Sequence, residues 1–495
     1  MTLSKSLYTR AIQCPKALWL KKYNSSVLTP PDETAQAIFE TGNRVGDLAC
    51  QLFPHGKEVP YSKNYDEMIA TTRQWIDDGI SNIYEATFNF SGILVMVDIL
   101  TISEEGEVSI YEVKSSTDVK EIYLHDVSIQ YFVLQNLGFK IKSANVVHIN
   151  NKYVRGDELD IYQLFTIVDV TSEVEALQSN IQTKFSEFET YLNDKENEPD
   201  IDIGKHCNTP YECDAKEYCW KVQRQIPDYS IFNIFNLGSK KQIELYSRGI
   251  VNISDIPPDF ELTALQAQAV ENYKSQTISI DKEKIREFIE NLTYPLYHLD
   301  FETYQQAIPE YKGIKPFEQI PFQYSLHIEH VDGTLEHKEY LSQDGIDSRY
   351  ELAHRLCEDI PKDVMVLAYN MSFEKGVIQR LASLFPELKE HLLAINENTQ
   401  DLMIPFQKKW YVTPTMQGSY SIKYVLPALV PEFEKAYKEL DGVQNGNQAM
   451  NAFANMSTME EEKKQKMRKA LLEYCKLDTL AMVKVLEQLR KVIYD

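Results

Sequence analysis

The sequence is short of basic charge, of cysteine and of long apolar runs, and each shortage excludes something. Lysine and arginine number 51 against 74 acids, a formal net charge of −23. Proteins that hold polyanions by bulk charge are basic, so any nucleic-acid contact here must be local or use metal ions to offset acidic side chains. Nowhere do about 18 apolar residues run together, so no segment reads as a membrane span, and no membrane partner is expected. The opening MTLSKSLYTRAIQCPKALWLKK is interrupted by Arg10 and Lys16 and has no continuous apolar stretch, so it does not read as a signal peptide. Seven cysteines in 495 residues argue against a disulfide framework and leave reduced thiols or metal ligands. The expected compartment is the cytoplasm. Glycine (18) and proline (20) are too scarce for a fibrous or low-complexity chain, and 43% hydrophobic with 25% charged residues is a globular balance.

At roughly 150 residues per domain, the length suggests about three domains. Residues 1–224 open with an acid-free basic segment (Lys5, Arg10, Lys16, Lys21, Lys22) and then alternate strand-like and helix-like runs. SGILVMVDIL, EVSIYEVKSS and ANVVHIN are short and rich in β-branched residues, as strands are. HDVSIQYFVLQNLG reads as a helix closed by Gly138. Val174, Leu177, Ile181, Phe185, Phe188 and Leu192 form the stripe of a long amphipathic helix. Residues 225–282, with turn signals at Gly238 and Gly249, read as a small helical connector that resembles a helix-hairpin-helix element. Residues 283–495 hold the strand LYHLDFETY, a hairpin across Asp332-Gly333, the strand VMVLAYN with a following helix, and a long terminal helix. The expected class is α/β throughout.

Acids punctuate the last unit at chemically useful places. Asp300 and Glu302, two apart on a strand, point to one face, where paired carboxylates repel unless a cation joins them. Asn370 ends a strand and Glu374 sits in the next first helical turn. Tyr474 and Asp478, four apart, share a helix face. This set suits two divalent cations, roughly 3.5–4 Å apart, clamping a scissile phosphate, with the tyrosine hydroxyl orienting the attacking water. These motifs resemble the DEDD exonuclease superfamily, tyrosine subtype, over about 200 residues, with GSYSIKYVLPAL resembling the segment before its third motif. The resemblance implies an RNase H-like fold and removal of nucleotides from 3′ ends. It makes Asp300, Glu302, Glu374 and Asp478 the ligands of Mg²⁺ or Mn²⁺, and Tyr474 the residue that positions water. The second motif carries Glu374 where the family has Asp, and Asp401 is a spare acid nearby.

In the first unit Asp98 ends a strand, and Glu112 and Lys114 project from one face of another. Two carboxylates can hold Mg²⁺ or Mn²⁺, and the lysine can stabilise charge developing on a phosphate. The pattern Asp98…Glu112-x-Lys114 resembles the PD-(D/E)XK nuclease superfamily, with its restriction-endonuclease-like fold. Glu85 and Gln130 fit the accessory motifs of its RecB-like branch. Where that branch has a metal-binding His, this sequence offers Gly46 or Asp47, with His55 out of register.

Cys207, Cys213 and Cys219 lie six apart, with Cys14 far upstream. Thiolates cluster in this way around Zn²⁺ or an iron–sulfur cluster. One N-terminal cysteine plus three after the nuclease core resembles the iron–sulfur RecB-like nucleases, in which a 4Fe-4S cluster staples the ends of the domain. The C-x5-C spacing leaves Zn²⁺ open as well. Cys50, Cys357 and Cys475 read as buried thiols. Taken together, the chain resembles a bacterial family of two-nuclease proteins: a RecB-like domain, a connector and a DEDD-type domain. The implied partner is DNA, single-stranded ends first because splayed bases can stack on aromatics, with RNA also open. Two alternatives stand beside two live centres: one centre kept only for binding, or a non-catalytic nucleic-acid scaffold.

Overall fold

The structure, a computed structural model, describes residues 3–494 of a mixed α/β chain. It divides into two compact units. The first is Met1–Gln225 with Gln306–Glu318, and the second is Ile226–Gln305 with Gln319–Asp495. The stretch expected to be a separate connector therefore belongs to the second unit. There it has its own small core of Ile231, Leu245, Ile253 and Val270. Among the described residues no helix is long and apolar enough to cross a membrane.

The first unit is built on a seven-stranded sheet. Its strands are β1 (Leu3–Ser4), β2 (Lys57–Glu58), β3 (Asn82–Phe90), β4 (Ile93–Ile102), β5 (Val108–Lys114), β6 (Ile141–Ile149) and β7 (Phe165–Asp169). Strands β2 to β7 lie in chain order, with β1 beside β4. The β5–β6 pair is parallel, while β3–β4 and β4–β5 are antiparallel. One face is covered by the helices Lys5–Gln13, Glu121–Asn136 and Thr171–Asn193, which bury Val97, Ile110 and Val146. On the other face Ile99 and Val147 pack with Val45 and Ala49 of the helix Glu33–Cys50. Alternation along β4 breaks at Asp98: Val95, Val97 and then Leu100 face the first core, while Ile99 joins the second. Opposite this break Glu85 adopts φ +55°, a left-handed conformation uncommon for a non-glycine residue. Gln306–Glu318 completes the second face with Ala307, Ile308 and Phe317. It is tied down by Arg155, which bonds Pro309 O at 2.7 Å through its guanidinium and Ile314 O at 3.0 Å through its backbone N–H.

The second unit is organised by five strands, β9 (Leu296–Tyr304), β10 (Ile320–Glu329), β11 (Leu335–Leu341), β12 (Met365–Ala368) and β13 (Thr399–Asp401), in the order β11-β10-β9-β12-β13. A small ribbon pairs β8 (Ser279–Ile280) with β14 (Tyr411–Val412). Strand β9 is central, antiparallel to β10 and parallel to β12. Its odd positions, Tyr297, Leu299 and Phe301, enter an apolar core with the helices Arg349–Asp359 and Met371–Leu384. The side chains of His298, Asp300 and Glu302 therefore emerge on the opposite face. That face packs against the terminal helix Glu461–Tyr494.

Candidate functional site

The second unit brings its five predicted site residues together. Asp300 stands opposite Ser325 and Glu302 opposite Gln323 in the β9–β10 ladder. The terminal helix is locked over this face by buried polar contacts. Gln323 donates to Leu471 O at 2.8 Å, and the Thr479 hydroxyl lies 2.7 Å from both Ser325 Oγ and His327 Nδ1. That register aims Tyr474, Cys475 and Asp478 at the acids. Cys475 Sγ lies 3.9 Å from Asp300 Oδ2. Asp478 accepts a hydrogen bond from Tyr437 at 2.6 Å and another from Tyr474. Glu374 arrives from the first turn of the helix Met371–Leu384; it is 2% exposed, and its Oε2 has no hydrogen-bond partner.

The electrostatics of this cluster are unbalanced. Among the described residues no ion pair reaches Asp300, Glu302 or Glu374; the nearest basic influence on Glu302 is the exposed Lys423. Burial, then Asp478, Glu302 and Glu374, lifts Asp300 well above the carboxylate range. Glu302 is lifted by burial, Asp478 and Glu374. Glu374 is pushed up to about 8, mostly by burial, and Asp478 to about 6, also by burial. Tyr474 and Tyr437 are raised by burial and by Asp478, so both remain protonated donors. Like charges gathered without a counter-ion favour a bound cation. Asp401, the spare acid, acts on Glu374 electrostatically and also holds the loop: its carboxylate accepts the backbone N–H groups of Asn370, Met371 and Met403 at 3.0, 3.2 and 2.9 Å.

The first unit also assembles its predicted set, but with the charge already answered. The β4–β5 pairing ends at Ile99–Tyr111 and the β3–β4 pairing skips from Tyr84–Ile99 to Ala86–Val97, so Asp98 lies between Glu112 and Glu85 where the ladders are interrupted, and the three acids act on one another in a row. Glu112, 1% exposed, bonds Lys114 at 2.6 Å and Gln130 at 2.7 Å. Two further residues join them. Lys5 Nζ lies 2.9 Å from Glu112, 3.3 Å from Asp98 and 3.9 Å from Asp126, while Asp126 bonds Lys114 at 2.6 Å. Burial alone would lower Lys5, but Asp126, Asp98 and Glu112 outweigh it and hold its pKa well above the ordinary lysine value. Burial likewise works against the ionised Glu112, but Lys114 and Lys5 pull it far below the usual range. Glu85, which has no lysine contact of this kind, is pushed up to about 7 by burial and by Asp98. Gly46 sits on the helix Glu33–Cys50 with open space where a side chain would be, and His55 is exposed.

Cys14, Cys207, Cys213 and Cys219 line one small cavity with Lys16 and His206. Cys14 is delivered by the extended residue between the helices Lys5–Gln13 and Pro15–Tyr23. Arg10 ties this corner to the cysteine-rich loop by bonding both oxygens of Asp214, at 2.7 and 2.8 Å. Gln13 does the same through the carbonyls of His206 and Tyr211, both at 2.8 Å. Among the described residues no three of the four sulfurs lie within 4.8 Å of one another. Sulfurs on a single tetrahedral zinc would be about 3.8 Å apart, from Zn–S of about 2.3 Å. Burial pushes Cys213 and Cys219 up to about 11, whereas His206 and the Gly204 N–H overcome burial and lower Cys207. The remaining thiols differ: Cys475 is buried, and Cys50 and Cys357 are half-buried.

Residues 297–421 match the model of a domain of unknown function (DUF2779). That stretch contains Asp300, Glu302 and Glu374 but stops short of Tyr474 and Asp478. The chain is also similar to the uncharacterized protein UU173 of Ureaplasma parvum serovar 3, with 26% identity over 300 residues, covering 55% of this chain. The match spans 42% of that relative's length.

Lys5, Asp126 and Tyr437 were not anticipated from sequence. Asp126 carried a usable signal, standing four residues before Gln130 on one helix face. Lys5 lay within the basic opening segment, but nothing local tied it to acids 93 and 107 residues away. Tyr437 comes from a short helix, Phe433–Lys438, whose destination no periodicity announces.

Proposed function

We propose that this chain is a metal-dependent nuclease whose C-terminal centre is a 3′→5′ exonuclease of the DEDD type, acting on single-stranded DNA ends. The observation that carries the reading is the convergence of Asp300, Glu302, Glu374 and Asp478 with one buried oxygen, Glu374 Oε2, left without a partner. These four residues would hold Mg²⁺ or Mn²⁺. When bound, such ions supply Lewis acidity and a water of lowered pKa. The protein's own part is to exclude bulk water, to fix Asp478 by two tyrosine hydroxyls, and to keep Tyr474 protonated within reach of a water. The central position of β9 in its mixed sheet supports an RNase H-like assignment for this unit. Asp300→Ala should abolish release of nucleotides from a 3′-labelled strand while circular dichroism stays unchanged; undiminished release refutes the assignment.

In the first unit, the row Glu85, Asp98 and Glu112 with Lys114 and Gln130 supports a RecB-like PD-(D/E)XK centre. The gathering of Cys14, Cys207, Cys213 and Cys219 around one cavity supports a structural metal group there, a 4Fe-4S cluster with Zn²⁺ as the alternative. Such a group would fasten the N-terminal helices to a loop nearly 200 residues later and so reduce unfolded-state entropy. One observation favours a second reading of this centre, as a nucleic-acid-binding site without cleavage. Lys5 and Lys114 already answer the charge on Glu112 and Asp126. Separate Lys114→Ala and Asp478→Ala variants decide between them: two independent losses of cleavage support two working centres, and a loss with Asp478→Ala alone supports one.

A further inference from the structure

We infer that Cys475 is a sulfur ligand of the C-terminal cation site, which for that reason prefers borderline divalent cations, the cobalt and zinc class, over magnesium. The inference deepens the phosphodiesterase reading and rests on it for the reaction, though not for the binding. Cys475 is fully buried on the terminal helix, three residues before Asp478, and turns its thiol toward β9. One ligand atom each from Asp300, Glu302 and Cys475 lies within 4.8 Å of the other two. Asp300 Oδ2 and Cys475 Sγ are 3.9 Å apart. With an oxygen about 2.1 Å and a sulfur about 2.3 Å from one ion, that separation corresponds to an angle of roughly 125°, a little wider than trigonal.

A second observation is independent of the thiol. Glu374 Oε2 is buried and unpartnered, and the Glu374 charge acts on both Asp300 and Glu302. Glu374 is not one of the three mutually close ligand residues, but a cation seated among them would relieve the repulsion its carboxylate exerts on Asp300 and Glu302. A thiol kept only as a small apolar filler would need no such company, because free cysteine packs as a hydrophobe. Magnesium demands an all-oxygen octahedron, whereas thiolate shifts preference toward softer ions. Ligation breaks the S–H bond, forms the S–metal bond, and releases one proton to bulk water for each ion bound.

The test is a Co²⁺ titration of the as-isolated protein, followed by the sulfur-to-cobalt charge-transfer absorption in difference spectra. Wild type should develop the band. Cys475→Ser should lose it, with Co²⁺ affinity falling about tenfold or more and Mg²⁺ affinity holding. An unchanged band and affinity in Cys475→Ser overturns the inference. Should that variant fail to fold, Asp300→Asn in the intact thiol background must weaken the same band, and an undiminished band overturns the inference equally. Strand cleavage is scored separately. A cobalt band with no Asp300-dependent nucleotide release retires the nuclease reading and leaves the sulfur ligand standing.

Discussion

Replacing Glu374 with Gln tests the charge imbalance directly, because it should act with opposite sign in the absence and presence of a cation. This carboxylate is pushed from 4.5 up to about 8, mostly by burial and further by Asp401. Since the folded value lies above the unfolded one, the native protein keeps a proton that the unfolded chain has released between those values. The group's stabilising contribution is whole below about pH 4.5 and is lost as pH rises toward 8, at about 1.4 kcal/mol per pH unit. Between pH 5.5 and 7.5 that amounts to roughly 3 kcal/mol. For a unit of 150–250 residues this is a fall in melting temperature of roughly 5–10 °C. Glutamine titrates nowhere in this range, so cation-free Glu374→Gln should lose that much less and be the more stable protein at pH 7.5. With Mn²⁺ at about 100 times its dissociation constant, wild type should gain about 2.7 kcal/mol, and the variant much less. Scanning calorimetry at both pH values, with EDTA or Mn²⁺, reads all four conditions. A variant that loses stability with pH as steeply as wild type, or gains as much from Mn²⁺, refutes the reasoning.

Other perturbations have equally definite outcomes. Lys5→Met leaves Glu112 buried beside one lysine instead of two and should destabilise the first unit by about 3–5 kcal/mol; added Mn²⁺ should restore part of this in calorimetry, and indifference to Mn²⁺ excludes a latent cation site there. Thr479→Val removes the hydroxyl shared by Ser325 and His327, so chemical denaturation should show a loss of about 1–3 kcal/mol, with strand cleavage falling as Asp478 loses its register. Cys207→Ser should strip iron from the purified protein, measured by inductively coupled plasma spectrometry. An aerobic preparation with zinc and no iron in both proteins would replace the cluster reading.

Much of this architecture was readable because strand and helix periods are local. The alternation in LYHLDFETY put Asp300 and Glu302 on one face without any knowledge of their neighbours. The spacing of Tyr474 and Asp478 did the same on a helix, and EVSIYEVKSS separated Glu112 and Lys114 from Val113. Long-range pairing was not readable. Whether Lys5 meets Asp98 depends on how the helix Lys5–Gln13 crosses β4, and no residue within that helix encodes the crossing by itself. That Asp401 caps the backbone amides of Asn370, Met371 and Met403 was not readable either, because a free carboxylate and a capping one are the same letter. The left-handed turn at Glu85 is likewise invisible, since nothing in IYEATF favours positive φ.

The excursion of Gln306–Glu318 has a consequence for dissecting this protein. A knife placed at the seam after Gln225 would not yield two self-sufficient pieces. The leading fragment would be missing the plug of Ala307, Ile308 and Phe317, and the trailing one would carry that same greasy loop with nowhere to hide it. The halves are therefore stitched rather than strung. A cut meant to separate them would have to carry Gln306–Glu318 along with the first.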